Sequence, residues 1–169
     1  RRLIEDLKAK AAQGYHVGTE KTPRILLTGT PTGLGSEKVI RIVEECGGLV
    51  VSMENCTGYK TLSYNIDEND ERDKLLLLAE RYLKIPCSVM TPNEGRMALL
   101  EEMIREFQVD GVIDLTWQAC HTYNIEAHTV EQLVKEKLGK PYLHLETDYS
   151  QSDVETLRVR INAFLEMLQ

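Results

Sequence analysis

Three cysteines lie in segments that have the composition of loops, and a cysteine thiolate is both a nucleophile and a metal ligand. Cys56 stands in the polar stretch 54–60, Cys87 follows a proline that breaks a helical pattern, and Cys120 separates an apolar run from an amphipathic one. A lone cysteine is most often a small buried residue. Three of them in loops favour a shared role, with metal binding as the first candidate.

The spacing of these cysteines fits ligands that the fold brings together, rather than one short motif. Cys56 and Cys87 are 31 residues apart and Cys87 and Cys120 are 33 apart, which is too far for a zinc ribbon or a C-x-x-C motif. Many iron–sulfur clusters take thiolates from distant parts of a chain. The fourth cysteine, Cys46, ends a predicted helix on its inward side, so we expect it to have a structural role.

Polar side chains accompany the loop cysteines and could position a bound group or supply protons to it. Glu54 and Lys60 flank the first cysteine, His121 follows the last, and Glu146 ends a later apolar run. We treat these four residues as candidates for catalysis. Glu146 could equally cap a helix or form hydrogen bonds within its own loop.

A glycine-rich turn at 29–35 follows the first apolar run. Its pattern, Gly-x-x-x-Gly-x-Gly-Ser, is neither a P-loop nor a dinucleotide fingerprint, and it lacks the P-loop lysine. Backbone N–H groups at the start of a helix can nevertheless hold an anion. A tight turn between strand and helix explains the glycines equally well, and the sequence leaves both interpretations open.

Apolar and amphipathic runs alternate along the chain, which predicts the elements that position these loops. Strands are predicted at 24–29, 49–53, 111–115 and 141–146, and helices at 1–13, 36–46, 73–83, 92–107, 125–138 and from a capping box at 152–155 onward. This alternation indicates an α/β domain of flavodoxin or Rossmann-like class. We expect a parallel sheet of about four strands in the order 2-1-3-4, with helices on both faces and the loop cysteines at its carboxyl edge.

The composition is that of a globular protein and argues against nucleic-acid-binding and membrane-spanning classes. The chain has 169 residues, of which 42% are hydrophobic and 28% charged, as expected for one α/β domain after a leading helix and connection at 1–22. A net charge of −7 argues against binding to nucleic acid phosphates. No run resembles a membrane span or a signal peptide, so we expect a cytoplasmic location with reduced cysteines. The sequence opens without Met, and we expect it to be part of a longer protein.

Several segments together resemble the 2-hydroxyacyl-CoA dehydratase and benzoyl-CoA reductase superfamily. They are IPC at 85–87 with TPN at 91–93, WQACHTY at 117–123, and LETDYS at 145–150 with FLEML at 164–168. The resemblance extends over nearly the whole chain from Arg24 and implies the C-terminal one of two α/β domains, with an N-terminal domain missing. It also implies an iron–sulfur cluster between the domains, with Cys120 as a ligand, and a separate ATP-hydrolysing activator protein that delivers electrons at low potential.

Cys56 and Cys87 depart from the plain dehydratase pattern and resemble the branch that carries a double-cubane cluster. The resemblance therefore implies either a 4Fe-4S or a double-cubane cluster held by Cys56, Cys87 and Cys120. It implies an enzyme of anaerobic metabolism, either a dehydratase (a lyase) or a reductase of small molecules that do not carry coenzyme A. We expect the intact protein to be a dimer, and the isolated chain to be inactive and without an intact cluster.

The sequence is also compatible with a protein that has no catalytic activity. The same α/β domain could be a binding or interaction module that holds a structural metal or none. Brown colour, iron and sulfide in the anaerobically purified intact protein would favour the cluster. A colourless protein containing zinc or no metal would favour the module.

Overall fold

The computed structural model describes residues 1–169 and contains one sheet of four parallel strands. The strands are β1 (Arg24–Gly29), β2 (Leu49–Glu54), β3 (Gly111–Trp117) and β4 (Tyr142–Thr147). Their order across the sheet is β2-β1-β3-β4, which confirms the predicted order 2-1-3-4. All three neighbouring pairs are parallel, so the carboxyl ends of the four strands lie at one edge.

Six α-helices connect or flank the strands, and the predicted α/β class is confirmed. They are α1 (Arg2–Ala12), α2 (Lys38–Glu45), α3 (Lys74–Leu83), α4 (Glu94–Glu106), α5 (His121–Gln132) and α6 (Val154–Glu166). A short 3₁₀ turn at Tyr59–Thr61 follows β2, and a π-helical turn at Leu133–Lys137 extends α5. None of the helices is both long enough and apolar enough to cross a membrane.

Alternating side chains of the strands fill two hydrophobic cores, one on each face of the sheet. Ile25 and Leu27 of β1 join the core formed with α2 and α6, whereas Leu26 between them joins the core formed with α4 and α5. Helices on both faces are therefore confirmed. Both faces of β3 are covered, and all seven of its residues are buried.

Helix α1 forms where the sequence predicts it, but it buries none of its residues. Its apolar side chains share one side of the helix, and Leu3 remains 71% exposed. The 3.6-residue period predicted the helix correctly, because periodicity depends on local sequence. It could not predict what the helix packs against.

Two helix starts differ from their prediction. Helix α5 begins at His121 rather than at 125, so Cys120 occupies its N-cap position. The capping box predicted at 152–155 is wrong, because Asp153 is the N-cap of α6 and its side chain makes no capping hydrogen bond. The Asp153 carboxylate instead accepts hydrogen bonds from the buried Lys38 ammonium, at 2.6 Å, and from the Thr147 hydroxyl.

Gly29, at the start of the glycine-rich turn, is required by the close approach of β1 and β3. It has a φ of +104°, and a Cβ atom there would lie 2.1 Å from the Leu115 carbonyl oxygen. The turn is then closed by Ser36, whose Oγ accepts from the Gly33 N–H at 2.7 Å and donates to the Gly33 carbonyl at 2.8 Å. Packing therefore accounts for Gly29 without a ligand.

Candidate functional site

The three loop cysteines occupy connections at the carboxyl edge of the sheet or beside it. Cys56 follows β2 and is exposed, and Cys120 follows β3 and is half-buried. Cys87 is half-buried in the connection from α3 to α4, seven residues before α4 begins at Glu94. Cys46 stands apart from them, because it ends α2 at the opposite edge of the sheet and packs against the α2–α6 core.

The first turn of α5 contacts the surroundings of all three loop cysteines. Tyr123 Oη lies 3.7 Å from Cys56 Sγ, and Thr122 Oγ1 lies 3.8 Å from Cys120 Sγ. Thr122 Oγ1 also accepts a hydrogen bond from Ser88, the neighbour of Cys87, at 3.3 Å. Two consecutive side chains thus link three connections that are far apart in the sequence.

A network of buried charges lies beneath this turn. Glu54, Lys60 and Arg96 are each fully buried, which charged residues tolerate only when they are paired. Glu54 Oε1 lies 2.9 Å from Lys60 Nζ in an ionic contact that lacks hydrogen-bond geometry, and Glu54 Oε2 accepts from Arg96 Nε at 3.1 Å. Removing one member would leave its partner charged and buried, at a cost of about 3–5 kcal/mol.

Helix α5 and the Cys87 connection join the same network through Glu126. The Glu126 carboxylate pairs with Arg96 and accepts from Asn93 Nδ2 at 2.6 Å. Asn93 Nδ2 also donates to the Cys87 carbonyl oxygen at 2.9 Å. Burial by itself would lower the pKa of Arg96, but the Glu54 and Glu126 carboxylates raise it, so the guanidinium stays charged.

Tyr123 connects the charge network to Cys56. Its side chain is buried, and its hydroxyl oxygen accepts a hydrogen bond from Lys60 Nζ at 3.1 Å. The cationic groups of Lys60 and Arg96 lie 5.3 and 4.9 Å from its ring centroid, within the range of cation–π attraction. Burial, followed by the neighbouring Cys56, raises the pKa of Tyr123, so it remains a neutral phenol that can donate its proton.

The other candidate residues at this edge are exposed. His121 occupies the first position of α5, and Glu146 accepts a hydrogen bond from Asn124 at 3.3 Å near the end of β4. The structure therefore separates the four candidate catalytic residues into two kinds. Glu54 and Lys60 lie in the interior, whereas His121 and Glu146 face outward at the same edge.

A cavity of about 550 Å³ opens between the α3–α4 connection and α5. Its lining includes Ser88 and Thr122, which lie beside two of the cysteines, and the Glu126 carboxylate of the charge network. Met90 and Ile125 contribute apolar surface. The cavity thus adjoins the cysteine edge of the domain.

Comparison with known proteins assigns the chain to a family. The family model described as "2-hydroxyglutaryl-CoA dehydratase, D-component" matches residues 1–168. The chain belongs to this family. The resemblance found in the sequence motifs is thereby confirmed at the level of the superfamily.

Two relatives of the D-component family align along almost the entire chain. "Putative dehydratase subunit YjiM" of Escherichia coli (strain K12) is 44% identical over 167 residues, which are 98% of this chain and 43% of that protein. "(R)-phenyllactyl-CoA dehydratase beta subunit" of Clostridium sporogenes is 28% identical over 174 residues, which are 99% of this chain and 42% of that protein. The chain therefore spans less than half the length of these relatives.

The donor atoms of this D-component domain suit an iron–sulfur cluster in type but do not form a complete ligand set. Cysteine thiolates are the usual ligands of such clusters, and three cysteines occupy connections at the carboxyl edge of the sheet or beside it. No group of three or more His, Cys, Asp and Glu side chains within the chain is close enough to hold a metal ion. The chain thus offers thiolates from separate connections rather than a preformed metal centre.

The sequence alone indicated no role for three residues of the site: Arg96, Tyr123 and Glu126. Arg96 could have been found, since it is spaced like Leu99, Leu100 and Met103 on the buried side of α4, where a cation needs a partner. Tyr123 lies in the WQACHTY segment that carries part of the family resemblance, but its hydrogen bond with Lys60 depends on the tertiary fold. Glu126 resembled any exposed helical carboxylate.

Proposed function

We propose that this chain is the iron–sulfur cluster-binding α/β domain of a dehydratase-family protein, with Cys56, Cys87 and Cys120 as thiolate ligands. When bound, such a cluster supplies electrons at low potential for dehydration or reduction of a substrate. The observation that carries the proposal is that the first turn of α5 contacts the surroundings of all three cysteines. Membership of the D-component family supports it.

The proposed activity requires partners beyond residues 1–169. The relative from Clostridium sporogenes is named as a beta subunit, which supports assembly with other subunits, and we propose a dimer for the intact protein. The chain has no Gly-x-x-x-x-Gly-Lys-Ser/Thr loop for Mg-ATP. We propose that a separate activator protein hydrolyses ATP and passes electrons to the cluster.

We propose different roles for the exposed and the buried candidate residues of this chain. His121 and Glu146, which are both exposed, would exchange protons with a substrate at the carboxyl edge. Glu54 and Lys60 are paired in the interior and would act by fixing the positions of other groups.

A second candidate function is a reductase of small molecules that uses a double-cubane cluster and no acyl-CoA substrate. It is supported by Cys56 and Cys87, which the plain dehydratase pattern lacks. The two candidates differ in metal content and in substrate. A double cubane holds twice the iron of a single cubane, and only the dehydratase should turn over 2-hydroxyacyl-CoA thioesters.

The ligand assignment is tested by replacing Cys120 and Cys46 separately with Ser in the full-length protein, followed by anaerobic reconstitution. Cys120→Ser should lose iron and activator-dependent reduction, because a thiolate ligand is missing. Cys46→Ser is the matched control and should mainly lose stability, because it places a hydroxyl where a thiol packs against the core. Iron and sulfide are measured per chain in each variant. Loss of the cluster in Cys46→Ser together with its retention in Cys120→Ser would show that the assignment is wrong.

A further inference from the structure

We infer that Tyr123 is a positioning residue that donates a hydrogen bond to the sulfur of Cys56, with buried Lys60 holding its hydroxyl in place. The inference rests on the proposed function in one respect, because the bond can change a reduction potential only if a cluster is bound through Cys56. The bond itself is a property of this chain and can be tested without a cluster.

The direction of the bond follows from counting donors and acceptors. The Lys60 ammonium can only donate, so at 3.1 Å it must donate to Tyr123 Oη. Tyr123 has one hydroxyl proton, which this contact does not use. The other polar atom within hydrogen-bond reach of Oη is Cys56 Sγ, at 3.7 Å. The phenol proton therefore points to the sulfur.

Buried charges hold the tyrosine in this orientation. Lys60 is fixed by Glu54 at 2.9 Å, and Glu54 is fixed in turn by Arg96 and by the Thr28 hydroxyl, which donates to it at 2.5 Å. The ring of Tyr123 packs against the cationic groups of Lys60 and Arg96. A donor held by a buried network loses little entropy when it bonds to a ligand sulfur, because it is already ordered.

Such a bond would favour the reduced state of a cluster held by Cys56. Reduction adds negative charge that is shared with the ligand sulfurs, and hydrogen bonds to those sulfurs stabilise it. Removing the hydroxyl should therefore make reduction harder. A tyrosine that only filled space beneath the loop would have no such effect, because Phe fills nearly the same volume.

The test compares Tyr123→Phe with Tyr142→Phe in the full-length, anaerobically reconstituted protein. Tyr142 is a matched control, because its hydroxyl is also buried but bonds to Asp114 and the Ala127 carbonyl rather than to a cysteine. We expect Tyr123→Phe to reduce the equilibrium constant for cluster reduction about tenfold, which is about 59 mV for one electron. Tyr142→Phe should leave the midpoint potential unchanged.

The result of this comparison either supports or overturns the positioning role of Tyr123. A lower potential in Tyr123→Phe alone, or loss of iron in Tyr123→Phe alone, supports the positioning role. Full iron with an unchanged potential in Tyr123→Phe overturns it. Equal losses of iron in both variants also overturn it, because they indicate a general structural effect of removing a buried hydroxyl.

A second measurement on the full-length protein prepared without iron separates failure of this inference from failure of the proposed function. Unfolding equilibria are compared for the wild type, Tyr123→Phe, Cys56→Ala and the double variant. Coupling that changes the unfolding equilibrium constant about threefold or more relative to the product of the single effects supports the bond. Additive effects contradict the bond, whether or not the reconstituted protein holds a cluster. An iron-free protein after reconstitution, with coupling intact, would refute the proposed function alone.

Discussion

Asp114 is buried in the middle of β3 without a cation bound to it. Its Oδ1 has no hydrogen-bond partner, and its Oδ2 lies 3.0 Å from the hydroxyl of Tyr142. That hydroxyl also lies 3.0 Å from the Ala127 carbonyl oxygen, which can only accept. One phenol proton cannot serve both contacts, but a protonated Asp114 that donates to Tyr142 leaves that proton free for the Ala127 carbonyl oxygen. Burial raises the pKa of Asp114, in agreement with this protonated form.

The contribution of Asp114 to stability should consequently fall as the pH rises. A carboxyl group whose pKa is raised on folding binds a proton that the unfolded chain releases, so its contribution to stability decreases from about pH 4 up to the folded-state pKa. Asp114→Asn replaces the protonated carboxyl by a neutral group of similar shape. We expect Asp114→Asn to be more stable than the wild type at neutral and alkaline pH and to lose this advantage near pH 4, as measured by urea unfolding across that range.

The control for this prediction is Asp67→Asn, which makes the same chemical change in an exposed loop. Its unfolding free energy should follow that of the wild type at every pH. A wild type whose stability rises between about pH 4 and 8 by more than that of Asp114→Asn would show that Asp114 is ionised in the folded protein.

Single residues also show what the sequence could not predict. Glu54 and Lys60 were predicted as polar groups near the cluster, and their proximity to Cys56 follows from the short segment they share. Their burial does not, because it depends on Arg96, which arrives from α4 and pairs with Glu54 across 42 positions of sequence. The segment 54–60 is polar in composition, yet its Glu54 and Lys60 side chains are buried in the interior.

At the scale of elements, helix α3 depends on its N-cap more than the other connecting helices do. Only Leu77 of its residues is buried, so packing contributes little to holding it. Asp73 Oδ1 accepts from the backbone N–H groups of Leu75 and Leu76 at 2.9 and 3.0 Å. These bonds satisfy two of the N–H groups that every helix start leaves without partners.

Replacing this cap should therefore loosen α3. We expect Asp73→Ala to cost about 1 kcal/mol and to speed hydrogen exchange of the α3 amides, above all those of Leu75 and Leu76. Glu71→Ala, two residues earlier and exposed, provides the control because its side chain makes no hydrogen bond. Equal exchange in the two variants would mean that packing rather than capping holds α3.

The elements also show where prediction from sequence succeeds. The strand order 2-1-3-4, which the structure confirms, is that of the flavodoxin-like class to which the alternation of apolar and amphipathic runs pointed. The capping box failed because Asp153 pairs with Lys38, 115 positions earlier in the chain, and that contact outweighs the local one. Local rules hold where no distant group competes for the same side chain.

At the scale of the whole domain, rigid and reactive parts are separated. The charge network ties β2, α4 and α5 together from inside, so it fixes the relative positions of the connections that carry Cys56, Cys87 and Cys120. The sulfur atoms themselves stand at the surface or half-buried beneath it. This arrangement suits a domain that supplies part of a metal centre and meets the remainder across its carboxyl edge.

The isolated chain of residues 1–169 should not retain an intact cluster. Because no three donor side chains lie close enough to hold a metal ion among themselves, a cluster assembled on this chain would lack ligands and exchange with solvent. Its thiolates would also oxidise in air, with exposed Cys56 the most accessible. We expect anaerobic reconstitution to leave less than stoichiometric iron and sulfide on the isolated chain after gel filtration, whereas the full-length protein retains both. Stoichiometric iron and sulfide that survive filtration on residues 1–169 would mean that the three thiolates move together and complete a site without any other segment.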